Sequence, residues 1–287
     1  MQGVDAVNVN HEPSPTETAF VPSGVITLTT DFGHKDPFVG VMKGQVLRRF
    51  AAARLVDLTH EVLVHWPAEA GFWLGRSFRY FPPGTVHVAV VDPGVGSARD
   101  IAVVEAEGHV FLAPDNGLLA GVLERLGTAP RLRRLDEAIL AGIDVHRPSA
   151  TFHGRDIFAP LAAELAAGRL LPAGLGPRVD ELVPGWIDEP VAGPAQVTGS
   201  VVTVDHFGNL LTNIDASLLP QAPQTFVRAG GHEMPLRRTY SDVRPGEYLG
   251  LVNSFGVLEV ARAEQSAAEG LGLDRGAPVV VGTRRVL

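Results

Sequence analysis

Three polar clusters punctuate the apolar first half of the chain: Asp31–Asp36, Asp92–Arg99 and His153–Asp156. Each adjoins a hydrophobic run, so each falls at the end of a strand or the start of a helix. Asp31 in such a loop could hold a metal, a pair of sugar hydroxyls, or only the backbone of its own turn. Asp92-Pro93-Gly94 suits a turn equally well, yet Gly94 and Gly96 would let a ligand approach the backbone closely. PGVGS has neither the GxGxxG spacing nor the lysine of a phosphate loop, which removes dinucleotide and Walker-type readings. His153 stands just before a helix, whose N-terminus disfavours the imidazolium. Neutral, it could act as a base; without a partner it is a structural histidine. Asp31, His34 and Asp36, or Thr59-His60-Glu61, offer metal-ligand types but no recognised spacing, so no metal site is expected.

The elements that must position these clusters follow from periodicity. Val25–Thr30 is β-branched and apolar and reads as a strand buried on both faces. Asp36-Pro37 is expected to open a helix, Asp36 as N-cap, with an apolar stripe of Phe38, Val41, Met42 and Leu47. Arg54–Leu58 reads as a second strand, a helix begins near Pro67, and Thr85–Val91 is a third strand. Ile101–Glu105 and His109–Ala113 pair across a turn at Glu107-Gly108. Asn116–Leu126 and Ile157–Ala167 have helical spacing. This alternation implies an α/β N-terminal domain, a mainly parallel sheet flanked by helices, over residues 24–170.

Residues 1–23 read as a flexible polar tail and residues 171–194, rich in proline, as a linker. Beyond them, residues 195–287 hold short strands separated by Gly, Pro, Asn and Asp: a smaller all-β, barrel-like C-terminal domain. Asp205–Asn209 (DHFGN) and Asn253–Gly256 (NSFG) are hairpin signals that also place acceptors, donors and an aromatic ring at strand ends. From spacing alone, two domains with a small-molecule cleft between them are expected.

Composition narrows the function classes. The 287 residues carry 24 Lys and Arg against 32 Asp and Glu, a net charge of −8, which argues against nucleic acid or an anionic membrane as partner. There is no cysteine, hence no disulfide, thiolate metal site or cysteine nucleophile. No signal peptide or spanning segment is read, and a cytoplasmic protein is expected.

TLTTDFG followed by DPFVGVMKG, then VDLTHEV, FPPGTVHVAVVDPGVGSAR, FLAPDNGLL, TFHGRDIFAP, DHFGNLLTNI and NSFG, stand here in one order. In this the chain closely resembles the adenosine-forming S-adenosylmethionine hydrolases, the hydroxide adenosyltransferase branch of the fluorinase/chlorinase superfamily. The resemblance spans roughly residues 25–285. It implies an α/β domain with a β-barrel domain, a homotrimer with active sites between subunits, and S-adenosylmethionine as substrate with no further cofactor.

Residue roles are implied by the same resemblance. Asp31 corresponds to the carboxylate that holds the ribose hydroxyls; Asp92, Arg99 and His153 correspond to the set that positions and activates water. Trp66 and Phe152 fall at aromatic walls around ribose and sulfonium, and Tyr240 at an aromatic near adenine. Asp205 and Ser254 belong to the methionine end, Phe207 and Asn209 to the adenine side. Halogenases of the superfamily have Tyr where Asp92 stands, the fluorinase has Ser in place of Gly154, and an Arg replaces Phe255. A carboxylate at position 92 would repel a halide, so water is the expected nucleophile.

Overall fold

The computed structural model describes residues 19–284 except 194, 221 and 223. Its first half runs β1 (Val25–Thr30), α1 (Phe38–Arg49), β2 (Arg54–Thr59), α2 (Pro67–Ser77), β3 (Val86–Val90), β4 (Ile101–Ala106), β5 (His109–Pro114), α3 (Ala120–Leu123), β6 (Arg131–Arg134), α4 (Ala138–Gly142) and α5 (Ala159–Ala166). The sheet order is β2-β1-β3-β5-β4-β6. Strands β2, β1, β3 and β5 run parallel, while β4 is antiparallel to both β5 and β6. The sheet is therefore mixed and mostly parallel. All six residues of β1 are buried because it pairs on both sides and is covered on both faces. Ile26, Leu28 and Val88 pack with Met42 and Val46 of α1 and Leu161 of α5. On the other face, Ala89, Val104 and Phe111 meet Leu74 and Phe78.

Several expectations are corrected. Asp36 does not cap α1: Pro37 occupies the N-cap position and no side chain caps the helix. The buried stripe of α1 is Val39, Met42 and Val46, whereas Phe38, Val41 and Leu47 are 45%, 37% and 44% exposed. Apolar residues wrap more of this helix than one sheet face can cover. Only residues 120–123 of the expected helix Asn116–Leu126 form α3, because Gly117 is left-handed (φ 87°) and Asn116 ties a turn to Leu118 N–H and Val91 O. Strand β6 goes unread in the sequence, as do two short strands of the second half, Val191–Ala192 and His232–Pro235; charged residues dominate RLRR, as suits an edge strand.

Residues 175–183 of the expected linker lie ordered against the first sheet. Leu175 is buried, Val179 N–H donates to Leu132 O, and Val183 N–H donates to Asp115 Oδ1. Of the expected tail, residues 1–18 lie outside the described residues, but Phe20 is buried in the core and Ser23 N–H donates to Gly84 O.

The second half comprises β7 (Val191–Ala192), β8 (Gln196–Val204), β9 (Leu210–Asp215), β10 (Thr225–Ala229), β11 (His232–Pro235), β12 (Tyr248–Val252), β13 (Val257–Arg262), α6 (Ala267–Leu271) and β14 (Pro278–Thr283). Its antiparallel order is β11-β10-β14-β8-β9-β13-β12, with β7 on β8. A Leu236–Gly250 bridge links the two ends, so the sheet nearly closes on a core of Val201, Ile214, Val227, Leu258 and Val281. The halves are clamped through Glu69 of α2. Its carboxylate accepts from Leu63 N–H (2.7 Å), Trp73 Nε1–H (3.1 Å) and, across the boundary, Thr203 Oγ1–H (2.6 Å). No described helix is long and apolar enough to cross a membrane.

Candidate active site

The loop after β3 carries Asp92 and returns through Arg99 to β4. Gly96 has φ 79° and lies so close to Ala150 that a Cβ there would sit 2.2 Å from its carbonyl oxygen. That approach presses the loop onto the segment that holds His153. Arg99 Nε donates to both oxygens of Asp92 (3.0 and 2.9 Å), and its Nη2 donates to Asp92 Oδ2 and to His153 Nδ1 (2.9 Å for the latter). The side chains of Asp92 and Arg99 are 4% and 10% exposed, so this is a buried, bidentate pair. A guanidinium has no acceptor, so His153 Nδ1 must offer its lone pair. Neutral His153 therefore carries its proton on Nε2. Burial, and then the charge of Arg99, hold the imidazole pKa below its ordinary value.

His153 leads into a π-helical turn, Gly154–Phe158, in which Ala159 N–H reaches back to Gly154 O. Pro160 follows and has no N–H to restore the tighter α pattern. A Cβ on Gly154 would lie 3.1 Å from Met42 Sδ and 3.3 Å from the Phe152 ring, so the site is closely packed here. Phe152 meets Phe32 and Phe38 edge-on at 5.9 and 5.4 Å, forming an aromatic wall.

Asp31 begins the loop after β1, and its Oδ2 accepts from His65 N–H (2.9 Å). The same loop is braced by His60: Gly33 N–H donates to His60 O, and Thr30 Oγ1 bonds His60 Nδ1, each at 2.8 Å. Next to His65, Trp66 packs at 6.4 Å from Trp186, and the Arg275 guanidinium lies 4.2 Å over the Trp66 ring. Trp66, Pro93, Gly94, Asn116 and Trp186 line a cavity of about 240 Å³. Asp31, Trp66 and the Asp92 loop thus share one neighbourhood.

The C-terminal residues gather elsewhere. Asp205, Phe207, Tyr240 and Ser254 line a cleft of about 900 Å³ together with Trp73 and Glu259. Asn209 lies instead on an adjoining cavity of about 520 Å³ that shares Phe207 and Tyr240. Asp205 shapes its own turn, accepting from Phe207 N–H (2.9 Å), Asn209 N–H (2.8 Å) and Asn209 Nδ2–H (3.0 Å). Tyr240 O–H donates to Glu259 Oε1 at 2.7 Å, and burial raises the phenol pKa. Glu259 is buried, and burial raises its pKa although Tyr240 and Asn253 both donate to it. The lining of this cleft includes none of Asp31, Asp92, Arg99, Phe152 or His153. Within one chain the expected site residues therefore form two groups.

Sequence reasoning missed Glu259 and Trp186. The first shows as a lone acid inside the apolar strand VLEVA, the second as a lone tryptophan in a proline-rich stretch. Among the described residues, no group of three or more histidines and carboxylates could hold a metal ion.

Together these features define a class of two-domain proteins: a mixed α/β sheet bearing a buried Asp-Arg-His set, joined to a near-closed barrel bearing an acidic cleft. Residues 26–175 match the N-terminal domain model of the SAM hydroxide adenosyltransferases, and residues 199–280 match the C-terminal one. The chain belongs to the SAM hydroxide adenosyltransferase family. It is 41% identical over 253 residues, 87% of its length and 96% of the relative's, to an (R)-S-adenosyl-L-methionine hydrolase of Thermus thermophilus. A fluorinase of Actinoplanes is more distant, at 29% identity over 90% of this chain and 97% of its own. A crystal structure of an uncharacterized conserved protein from Thermotoga maritima superposes with TM-score 0.82 at 36% identity, covering 90% of this chain and 99% of that one.

Proposed function

We propose that this chain hydrolyses S-adenosyl-L-methionine to adenosine and L-methionine, by in-line attack of water on C5′. The observation that carries this reading is the Arg99 bridge between Asp92 and His153. The leaving group is a neutral thioether and needs no acid, so the difficulty lies in orienting and deprotonating a weak nucleophile. With Arg99 in place, His153 Nδ1 is occupied and its Nε2–H can only donate. Asp92 is then the group that receives the water proton, and His153 orients the water oxygen. General-base assistance of this kind contributes roughly 10²–10⁴-fold. Asp31 holds the ribose hydroxyls, and Phe152 and Trp66 line the sulfonium side, where cation–π attraction contributes about 0.5–2 kcal/mol. The buried carboxylate of Asp92 (side chain 4% exposed) disfavours a halide in the same position.

The hydrolase relatives are (R)-S-adenosyl-L-methionine hydrolases, named for the R configuration at sulfur, and the same epimer is the proposed substrate here. Separation of the two residue groups within one chain supports active sites completed by a second subunit, in a homotrimer. The reading includes a cytoplasmic location and no cofactor beyond the substrate. Incubation of the purified protein with each sulfonium epimer, with products separated chromatographically, tests it. Adenosine and methionine in equal amounts from the R epimer are expected; no adenosine from either epimer would remove the proposal.

A further inference from the structure

Four carboxylates line the 900 Å³ cleft: Glu61, Glu69, Asp205 and Glu259. Against them stands one Lys or Arg of the described lining, Arg238. Its guanidinium makes no hydrogen bond or ion pair to the described residues, in contrast to the carboxylates of Glu69, Asp205 and Glu259. Glu69 is committed to Leu63, Trp73 and Thr203, and Glu259 to Tyr240 and Asn253. The backbone beneath Arg238 is nevertheless fixed. Arg238 N–H and Thr239 N–H both donate to Asp242 Oδ2 at 3.1 Å, and Arg237 N–H donates to Gly250 O at 2.8 Å. Phe255, directly after Ser254, supplies an aromatic contact to Trp73 and no charge.

An α-amino acid presents opposite charges on adjacent groups. Acids in this cleft suit its ammonium and would repel its carboxylate unless a cation faces it. A free guanidinium on a rigid loop is suited to bidentate capture of a carboxylate. We propose that Arg238 binds the α-carboxylate of the substrate's methionine end and so selects amino-acid sulfonium nucleosides over those lacking the acid. This rests on the hydrolase reading of the cleft.

The test compares steady-state kinetics of the native chain, Arg238→Ala and Arg238→Lys on S-adenosylmethionine and on its decarboxylated analogue. Arg238→Ala is expected to raise KM for S-adenosylmethionine about tenfold or more, the size of one hydrogen bond to a charged group. For the analogue, KM should stay within about twofold. Arg238→Lys should recover part of the loss by charge without the fork. Equal weakening for both substrates, or none for either, overturns the assignment while leaving hydrolysis standing. Absence of hydrolysis by the native chain instead overturns the functional reading and this inference with it.

Discussion

Arg99 decides the chemistry of its two neighbours at the scale of single residues. Because it only donates, it leaves His153 with a proton on Nε2 and, in the proposed hydrolysis, Asp92 as the group that accepts the water proton. Glutamine at position 153 can keep a donor near the Nε2 position, and alanine cannot. We therefore expect His153→Gln to retain several-fold more kcat than His153→Ala, with Asp92→Asn lowering kcat by about 10²-fold, the low end for a general base. Equal loss in the glutamine and alanine variants would instead assign the proton to His153. Arg99→Ala should cost more than activity. It leaves a buried carboxylate unpaired, a change worth about 3–5 kcal/mol of stability, measurable by denaturant titration.

Strands β1, β3 and β5 carry a second histidine arrangement, one that bears on stability. His87 Nδ1 bonds Thr27 Oγ1 at 2.8 Å and His87 Nε2 lies 3.1 Å from His109 Nδ1, the whole packed against Phe78 and Phe111. Burial lowers both imidazole pKa values, that of His87 strongly. The unfolded chain binds protons at these sites as pH falls through about 6.5, whereas the native chain takes them up only at lower pH. Stability is thus full above that pH and falls as pH drops through it, by up to about 1.4 kcal/mol per pH unit for each such histidine. Thermal melts should show a lower Tm at pH 5.5 than at pH 7.5, with a smaller difference in His87→Gln. An unchanged Tm in the native chain across that range would contradict the arrangement.

At the scale of the whole molecule, the question is where a complete site is built. Asp31, Asp92 and His153 belong to the first sheet's loops, Asp205 and Ser254 to the barrel cleft. Apolar side chains lie exposed along α1 and the edge strand β2 and beyond it: Phe38, Val41, Leu47, Val56, Leu63 and Val64. An uncovered apolar surface of this kind beside an unpaired strand edge supports self-association. Mixing impaired Asp92→Asn with impaired Asp205→Ala subunits, under conditions that permit subunit exchange, should raise activity above that of either variant alone. Mixed oligomers would then contain sites with neither substitution. Failure to raise activity in verified mixed oligomers would place the complete site within one chain.

Much of this molecule was legible from local pattern. The β-branched runs of β1 and β3, the Glu107-Gly108 turn with its two positive φ angles, and the spaced strands of the barrel follow from steric preference and hydrophobic period. Asp31 and Asp92 stood out because polar side chains directly beyond apolar strands face a sheet edge, and His153 because it stands at the start of a helix. Pattern failed where a distant partner decided the outcome. Nothing adjacent in sequence says that α1 buries Val39 rather than Phe38, or that residues 175–183 lie against β6 and Asp115. The sequence by itself determined which residue types were present for chemistry and which segments could become strands. Only the tertiary structure decided that Gly96 rests on Ala150, bringing Arg99 to His153 across 54 positions of chain. A tautomer is set by the partner at its nitrogen, and partners are chosen by packing.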